Sequence, residues 1–203
     1  MGDFIIRLET NGDEKITENL TREAFWNVYR PGCEEHYVLH CFRSSREFVH
    51  ELNLVMVKEG EIIGHVMYVK SEIETLSGEK IPILTLGPIS IAPKYKRQGY
   101  GSELLKYSLN KAESLGYGAV ELTGNISFYG KAGFAVAKTV GVTYKDDPNA
   151  DYFLIKELKE GFLDGVKGSY HDPEGYFVDS EKAAEFDSLF PPKEKKKLPG
   201  QLV

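Results

Sequence analysis

Cysteine is scarce in this chain: only Cys33 and Cys41 occur in 203 residues, without CxxC spacing or an organised histidine set. A disulfide framework and a zinc centre are thereby excluded as organising features, and no metal is expected. No apolar run approaches the roughly 18 residues that span a bilayer. The opening MGDFIIRLET has neither the apolar segment nor the cleavage site of a signal peptide, so no membrane partner is expected and the cytoplasm is the expected compartment. Positive charge is in deficit. Twenty-five Lys and Arg against 31 Asp and Glu leave a net charge of −6, which argues against broad nucleic-acid binding and makes any basic site local. Internal repeats are lacking, as are the Walker string G-x-x-x-x-G-K-[ST] and a G-x-G-x-x-G set tight against a strand.

What is present is a composition suited to a packed core, 41% hydrophobic and 28% charged. A chain of this length hides roughly 70% of its unfolded surface, enough for one domain with an extension. FIIRLET reads as a strand, and TNGDEKITENLTREAFWNVYRP as a helix leaving at Pro31-Gly32 with Leu20, Phe25, Val28 and Tyr29 on its apolar face. CEEHYVLHCF repeats helical spacing through Tyr37, Val38, Cys41 and Phe42. The period then changes to two. Residues 54–58 and 62–74 form a hairpin turned at Glu59-Gly60, and SGEK turns into the third antiparallel strand, IPILTLGPISIA.

Gly87-Pro88 interrupts that third strand, because proline supplies no ladder N–H and glycine marks bulges, so distortion is expected there. APKYKRQGYGSELL follows, with Lys94, Lys96 and Arg97 ahead of Gly99 and Gly101. Leu104, Leu105, Leu109, Ala112 and Leu115 then mark a helical face that Gly116 caps. YGAVEL is the next strand, and a strand, helix, strand crossover predicts that residues 119–122 run parallel to 83–91. A short helix over 126–132, strands near 134–140 and 152–158, and a helix near 180–189 complete the reading. A helix start preceded by glycines offers unpaired N–H groups and a positive dipole end to an anion.

Taken together, the distorted strand, the basic glycine junction and the later string SFYGKAGF resemble the GCN5-related N-acetyltransferase (GNAT) family, over about residues 4–158. The cofactor signature Q/R-x-x-G-x-G/A maps onto Lys96, Gly99 and Gly101, with Lys where Gln or Arg is usual. The string F/L-Y-x-x-x-G-F maps onto Phe128, Tyr129, Gly133 and Phe134. Within the family the chain looks most like the YhbS-like bacterial acetyltransferases. The resemblance implies an α/β (α+β) GNAT fold, a mixed central sheet of about six or seven strands flanked by about four helices. The acetyltransferase domain would span residues 1–158, with a C-terminal extension, 159–203, packed on it and ending in a polar tail.

The resemblance further implies acetyl-CoA as acetyl donor and a small-molecule or peptide amine as acceptor, attacked directly in a ternary complex. The pantetheine would pair with the backbone of Ile89, Ser90 and Ile91. The pyrophosphate would lie on the amides of Arg97, Gln98, Gly99, Tyr100, Gly101 and Ser102, the side chains of Lys94, Lys96 and Arg97 would add charge around it or at the 3′-phosphate, and Asn125 would stand near the cofactor. Tyr129 would be the general acid that protonates the leaving thiolate. For the base, Glu121, His65, Glu34, Glu35, His36 and a water chain stay open. The acceptor pocket would draw on Phe25, Trp26, Tyr29 and Glu35. Segment 161–177 would be a lid, a further strand or a partner surface, and PPKEKKKLPG a solvated tail. A homodimer is left open, and the alternative reading is a noncatalytic acyl-CoA-binding or sensing module on the same fold.

Overall fold

The computed structural model describes residues 3–201. Alternating apolar and polar positions build nine strands among these residues: β1 (Ile5–Leu8), β2 (Leu54–Lys58), β3 (Glu61–Thr75), β4 (Lys80–Ile91), β5 (Ala119–Thr123), β6 (Ala135–Val136), β7 (Val142–Tyr144), β8 (Phe153–Glu157) and β9 (Gly168–Tyr170). They form one mixed sheet in the order β1-β2-β3-β4-β5-β8-β6, with β9 pairing both β3 and β7. The expected antiparallel run β2-β3-β4 is present, and β4 and β5 are parallel. Five helices accompany the sheet: α1 (Glu14–Phe25), α2 (Glu35–Phe42), α3 (Tyr100–Ser114), α4 (Ile126–Tyr129) and α5 (Ser180–Asp187).

The period-two pattern sorts side chains to two layers. Leu84, Leu86, Val120 and Leu122 bury against Tyr100, Leu104, Leu105 and Leu109 of α3. On the other face Met67 and Val69 meet Val38, Leu39 and Phe42 of α2, while Val55 and Ile62 meet Leu20 of α1. The same face continues to Ile83, Ala119, Phe153 and Ile155, covered by Tyr170 and the loops around it.

Three expectations about elements are corrected. The first helix stops at Phe25 instead of running to Pro31, because Asn27 turns left-handed (φ 59°) and closes a loop with Gly32 through two 2.8 Å hydrogen bonds. Val28 and Tyr29 consequently lie half-exposed on that loop. Residues 134–140 give only the two-residue β6 before a 3-10 turn, Ala137–Val140, capped by left-handed Gly141. The lysine-rich tail is not simply solvated: the Glu194 carbonyl accepts from Trp26 Nε1 (3.0 Å) and Asn27 Nδ2 (3.1 Å), and Lys193 pairs with Glu23 at 2.8 Å.

Candidate active site

The site begins where β4 and β5 stop pairing. Leu84 lies beside Val120 and Thr85 beside Glu121, and no further pair forms, although both strands continue. On its other edge β4 stays joined to β3, with a register shift that leaves Met67 opposite Gly87-Pro88, between the pairs Val66 with Ile89 and Tyr68 with Leu86. The proline-containing bulge bends β4 away from its parallel neighbour. From Leu86 to Ile91 the β5-facing edge of β4 therefore has no strand partner. Ile89 and Ile91 face the α3 layer, and buried Ser90 faces α1, its hydroxyl 3.1 Å from that of Thr21.

At one end of this opening lies the start of α3. Gly99 is its N-cap in the left-handed region (φ 91°), and Arg97 shares that region (φ 61°), which is uncommon for a residue with a side chain. Left-handed residues within a turn are how a backbone gathers successive N–H groups into a concave anion seat. The amides of Arg97, Gln98, Gly99, Tyr100 and Gly101 have no acceptor among the described residues, whereas Ser102 N–H is spent on the Gly99 carbonyl at 3.0 Å. Four side chains of the junction face elsewhere. The Lys96 ammonium donates to the Ala24 carbonyl at the end of α1 (2.7 Å), where partial burial lowers its pKa, and Lys94 is tied to Glu61 at 2.7 Å. Gln98 turns back onto the Lys94 carbonyl, and the Tyr100 ring packs in the core between Phe4 and Tyr95. Exposed Arg97 remains as the unpaired cation of this turn among the described residues.

Beyond the helix start, a hollow of about 240 Å³ separates α3 from the α4 turn, lined by Ser102, Lys106, Asn110, Phe128, Lys131 and Lys156 among others. Asn125 is the N-cap of α4: its side-chain oxygen accepts from Ser127 N–H at 2.8 Å, so one of its polar atoms has a structural task.

Tyr129, the last residue of α4, is wedged against Gly124, where a Cβ would come within 2.5 Å of the tyrosine ring. Phe128 and Phe134 hold the ring edge-on at 4.9 and 5.7 Å. Its hydroxyl has no hydrogen-bond partner among the described residues. Burial, with a smaller contribution from Tyr29, pushes its pKa up to about 12, so the phenol is protonated at neutral pH.

Among the base candidates, Glu121 is the one at the parting of the strands. It is fully buried, and neither carboxyl oxygen has a hydrogen-bond partner; burial pushes its pKa up to about 8, opposed by the nearby hydroxyls of Thr85 and Tyr170. His65 is a core group, with Nε2 2.7 Å from Asn53 Oδ1, and burial pulls its pKa down to about 4. His36 is clamped between Cys33 and Asp187 and packed on Phe186 and Phe190, away from the opening. Glu34 pairs with Arg30 and accepts from Ser180 at 2.8 Å.

The structure divides the acceptor candidates. Tyr29 is within electrostatic reach of both Glu35 and Tyr129: burial and then the Glu35 carboxyl push its phenol pKa up, and it adds in turn to the raised pKa of Tyr129. Phe25 packs on Tyr29 with ring centroids 6.1 Å apart, and burial raises the Glu35 pKa. Trp26 belongs elsewhere. Its ring lies under Arg22 at 4.3 Å and Lys193 at 5.4 Å, and its N–H is taken by the tail.

Three residues of the C-terminal segment gather at β4 beside the opening without a sequence motif to announce them. The Tyr176 hydroxyl donates to the Gly87 carbonyl at 2.8 Å. The Tyr170 hydroxyl lies 2.8 Å from that of Thr85 and donates to Asp172 at 3.1 Å. Only the glycine and aromatic richness of the segment signalled it, because partners 80 or more positions away leave no local spacing.

A mixed sheet opened between two parallel strands, with an amide-lined helix start at the opening and a partly buried tyrosine beside it, defines an acyltransferase-like α/β protein. Residues 19–134 match the family model described as Acetyltransferase (GNAT) family, and the chain belongs to that family. The uncharacterized N-acetyltransferase YhbS of Escherichia coli (strain K12) is 27% identical over 116 residues, covering 56% of this chain and 68% of the relative. The crystal structure of YhbS from Escherichia coli in complex with CoA superposes with TM-score 0.75 at 24% identity, covering 86% of this chain and 92% of the other. A GNAT family acetyltransferase from Brucella melitensis in complex with acetyl-CoA gives TM-score 0.69 at 21% identity, covering 86% and 98%. Both share the fold. Among the described residues no helix is long and apolar enough to cross a membrane, and no group of three or more His, Cys, Asp or Glu could hold a metal ion.

Proposed function

We propose that this chain transfers the acetyl group of acetyl-CoA to a primary amine of a small molecule or peptide, by direct attack within a ternary complex. The observation that carries the reading is the unpaired edge of β4 from Leu86 onward, leading straight to five partnerless amides at the start of α3. An elongated ligand with an amide-containing arm and a diphosphate matches that sequence of groups. The pantetheine runs along Ile89, Ser90 and Ile91, and the diphosphate sits on the amides from Arg97 to Gly101, with the Arg97 guanidinium at hand. The adenosine end turns into the hollow where Lys106, Lys131 and Lys156 supply positive charge, with Ser102 in its lining and Asn125 at the start of the α4 turn that borders it.

A backbone N–H at the bulge stabilises the thioester oxygen as it gains charge, and the Tyr129 hydroxyl gives its proton to the departing thiolate. Glu121 is the base, its raised pKa matching the affinity for a proton that the attacking amine requires. The amine approaches past Phe25, Tyr29 and Glu35, whose half-buried carboxyl suits a cationic acceptor. The extension 159–203 forms one wall of the same domain.

A thermal-shift series with CoA and acetyl-CoA, followed by thiol release against a panel of amines, aminoglycosides, polyamines and peptide N-termini, tests the proposal. Ligand at 100 times its dissociation constant adds about 2.7 kcal/mol, which raises Tm by roughly 5–11 °C in a chain of this size. Binding with acetyl-CoA-dependent thiol release is expected. Binding without release from any amine would favour a sensing module, and the absence of a shift would reject both.

A further inference from the structure

Tyr176 sits across the point where the sheet opens. Its hydroxyl is bonded to the Gly87 carbonyl on β4, and its ring packs edge-on against Phe42 of α2 at 4.8 Å. Burial, then the carboxyls of Glu121 on β5 and Asp172, hold its phenol well above the usual range and thus protonated. One hydroxyl is therefore fixed to the first strand and within electrostatic reach of the second, at the level where they separate.

The layer to which Tyr176 belongs is the one opposite α3. Leu84, Leu86, Val120 and Leu122 point to α3, whereas Tyr176 clusters with Phe42 and Met67, the residue facing the bulge. A thioester whose long arm lies along the unpaired edge of β4 presents its acyl carbon at this parting. An acyl chain that leaves this edge on the side away from α3 meets Tyr176. That space is filled: Met67, Phe42, Thr85 and Glu121 are each no more than 5% exposed.

We infer that Tyr176 is the floor of the acyl pocket and restricts the donor to short acyl thioesters. The C-terminal extension is thus the specificity element of the site. This inference rests on the CoA reading above. A methylene group too many in a closed apolar pocket costs about 10- to 200-fold in discrimination.

The test measures dissociation constants of CoA, acetyl-CoA, butyryl-CoA and hexanoyl-CoA for the full chain and for Tyr176→Ala and Tyr176→Phe. In the wild type, hexanoyl-CoA is expected to bind at least about tenfold more weakly than acetyl-CoA. Tyr176→Ala should bring the two within roughly threefold, and Tyr176→Phe, which keeps the ring, should retain the discrimination. Should the alanine variant lose CoA binding through misfolding, Tyr176→Leu replaces it with the same expected relaxation. Equal binding of all chain lengths by the wild type, or an undiminished penalty in a variant that still binds CoA, overturns the inference. Failure of the wild type to bind CoA at all would instead overturn the reading of the cofactor site.

Discussion

Removing one oxygen atom from Tyr129 separates its chemical task from its packing. The ring is held by Phe128, Phe134 and the close approach to Gly124, all contacts that phenylalanine keeps. The hydroxyl has no protein partner among the described residues, so Tyr129→Phe breaks no hydrogen bond and should change stability by about 0.5 kcal/mol or less. If the hydroxyl protonates the leaving thiolate, its loss removes general-acid catalysis, typically 10²- to 10⁴-fold, or about 2.7–5.4 kcal/mol of barrier at 1.36 kcal/mol per tenfold. Steady-state thiol release with an acceptor identified from the amine panel reads kcat, and a titration with acetyl-CoA reads the dissociation constant. A fall of kcat by about 10² or more with cofactor affinity unchanged within roughly twofold is expected. Because the phenol has its pKa near 12, no alkaline loss of wild-type kcat below about pH 10 should belong to this residue. A kcat within about threefold of wild type would refute the acid role, since that is barely half a decade of rate.

Other consequences follow from burial and charge. Asp187→Ala leaves Arg22, whose side chain is 1% exposed, without its 2.6 Å partner, and should cost about 3–5 kcal/mol in a denaturant titration. His65 is held neutral in the fold with a pKa of about 4 against 6.5 when unfolded. The unfolded chain therefore binds more protons between these values, so stability should fall as pH drops from 6.5 toward 4, a loss that His65→Gln should reduce in a Tm against pH series. Glu121 has the opposite sense: its pKa of about 8 against 4.5 unfolded means stability is lost as pH rises through that window. Glu121→Gln should accordingly raise Tm increasingly from pH 4.5 to 8 while lowering turnover; a stabilised variant with full turnover would leave it a core group and not the base. Gly99→Ala forces a Cβ into a φ of 91°, which should cost about 1–2 kcal/mol and weaken CoA binding, as calorimetry would show.

The sequence carried the parts of the fold that local pattern controls. The hairpin at Glu59-Gly60, the broken third strand and the crossover to a parallel β5 all follow from period, turn chemistry and proline, and all three are present. Local pattern misled where a distant partner decides. Val28 and Tyr29 kept helical spacing beyond Phe25, but Asn27 and Gly32 close a loop there that the tail then grips through Glu194. The aim of a side chain was equally hidden: Lys96 and Trp26 stand in the expected stretches, yet one bonds the end of α1 and the other receives the tail. Tyr176 was invisible for the same reason, since its meeting with Gly87 spans 89 positions.

Whether the opening between β4 and β5 seats the cofactor is tested most directly by a crystal structure of the chain soaked with acetyl-CoA. Pantetheine is expected alongside Ile89, Ser90 and Ile91, with the diphosphate on the amides of Arg97 through Gly101. Acetyl-CoA bound elsewhere, or that opening left closed by direct pairing of β4 with β5 beyond Thr85, would contradict that expectation.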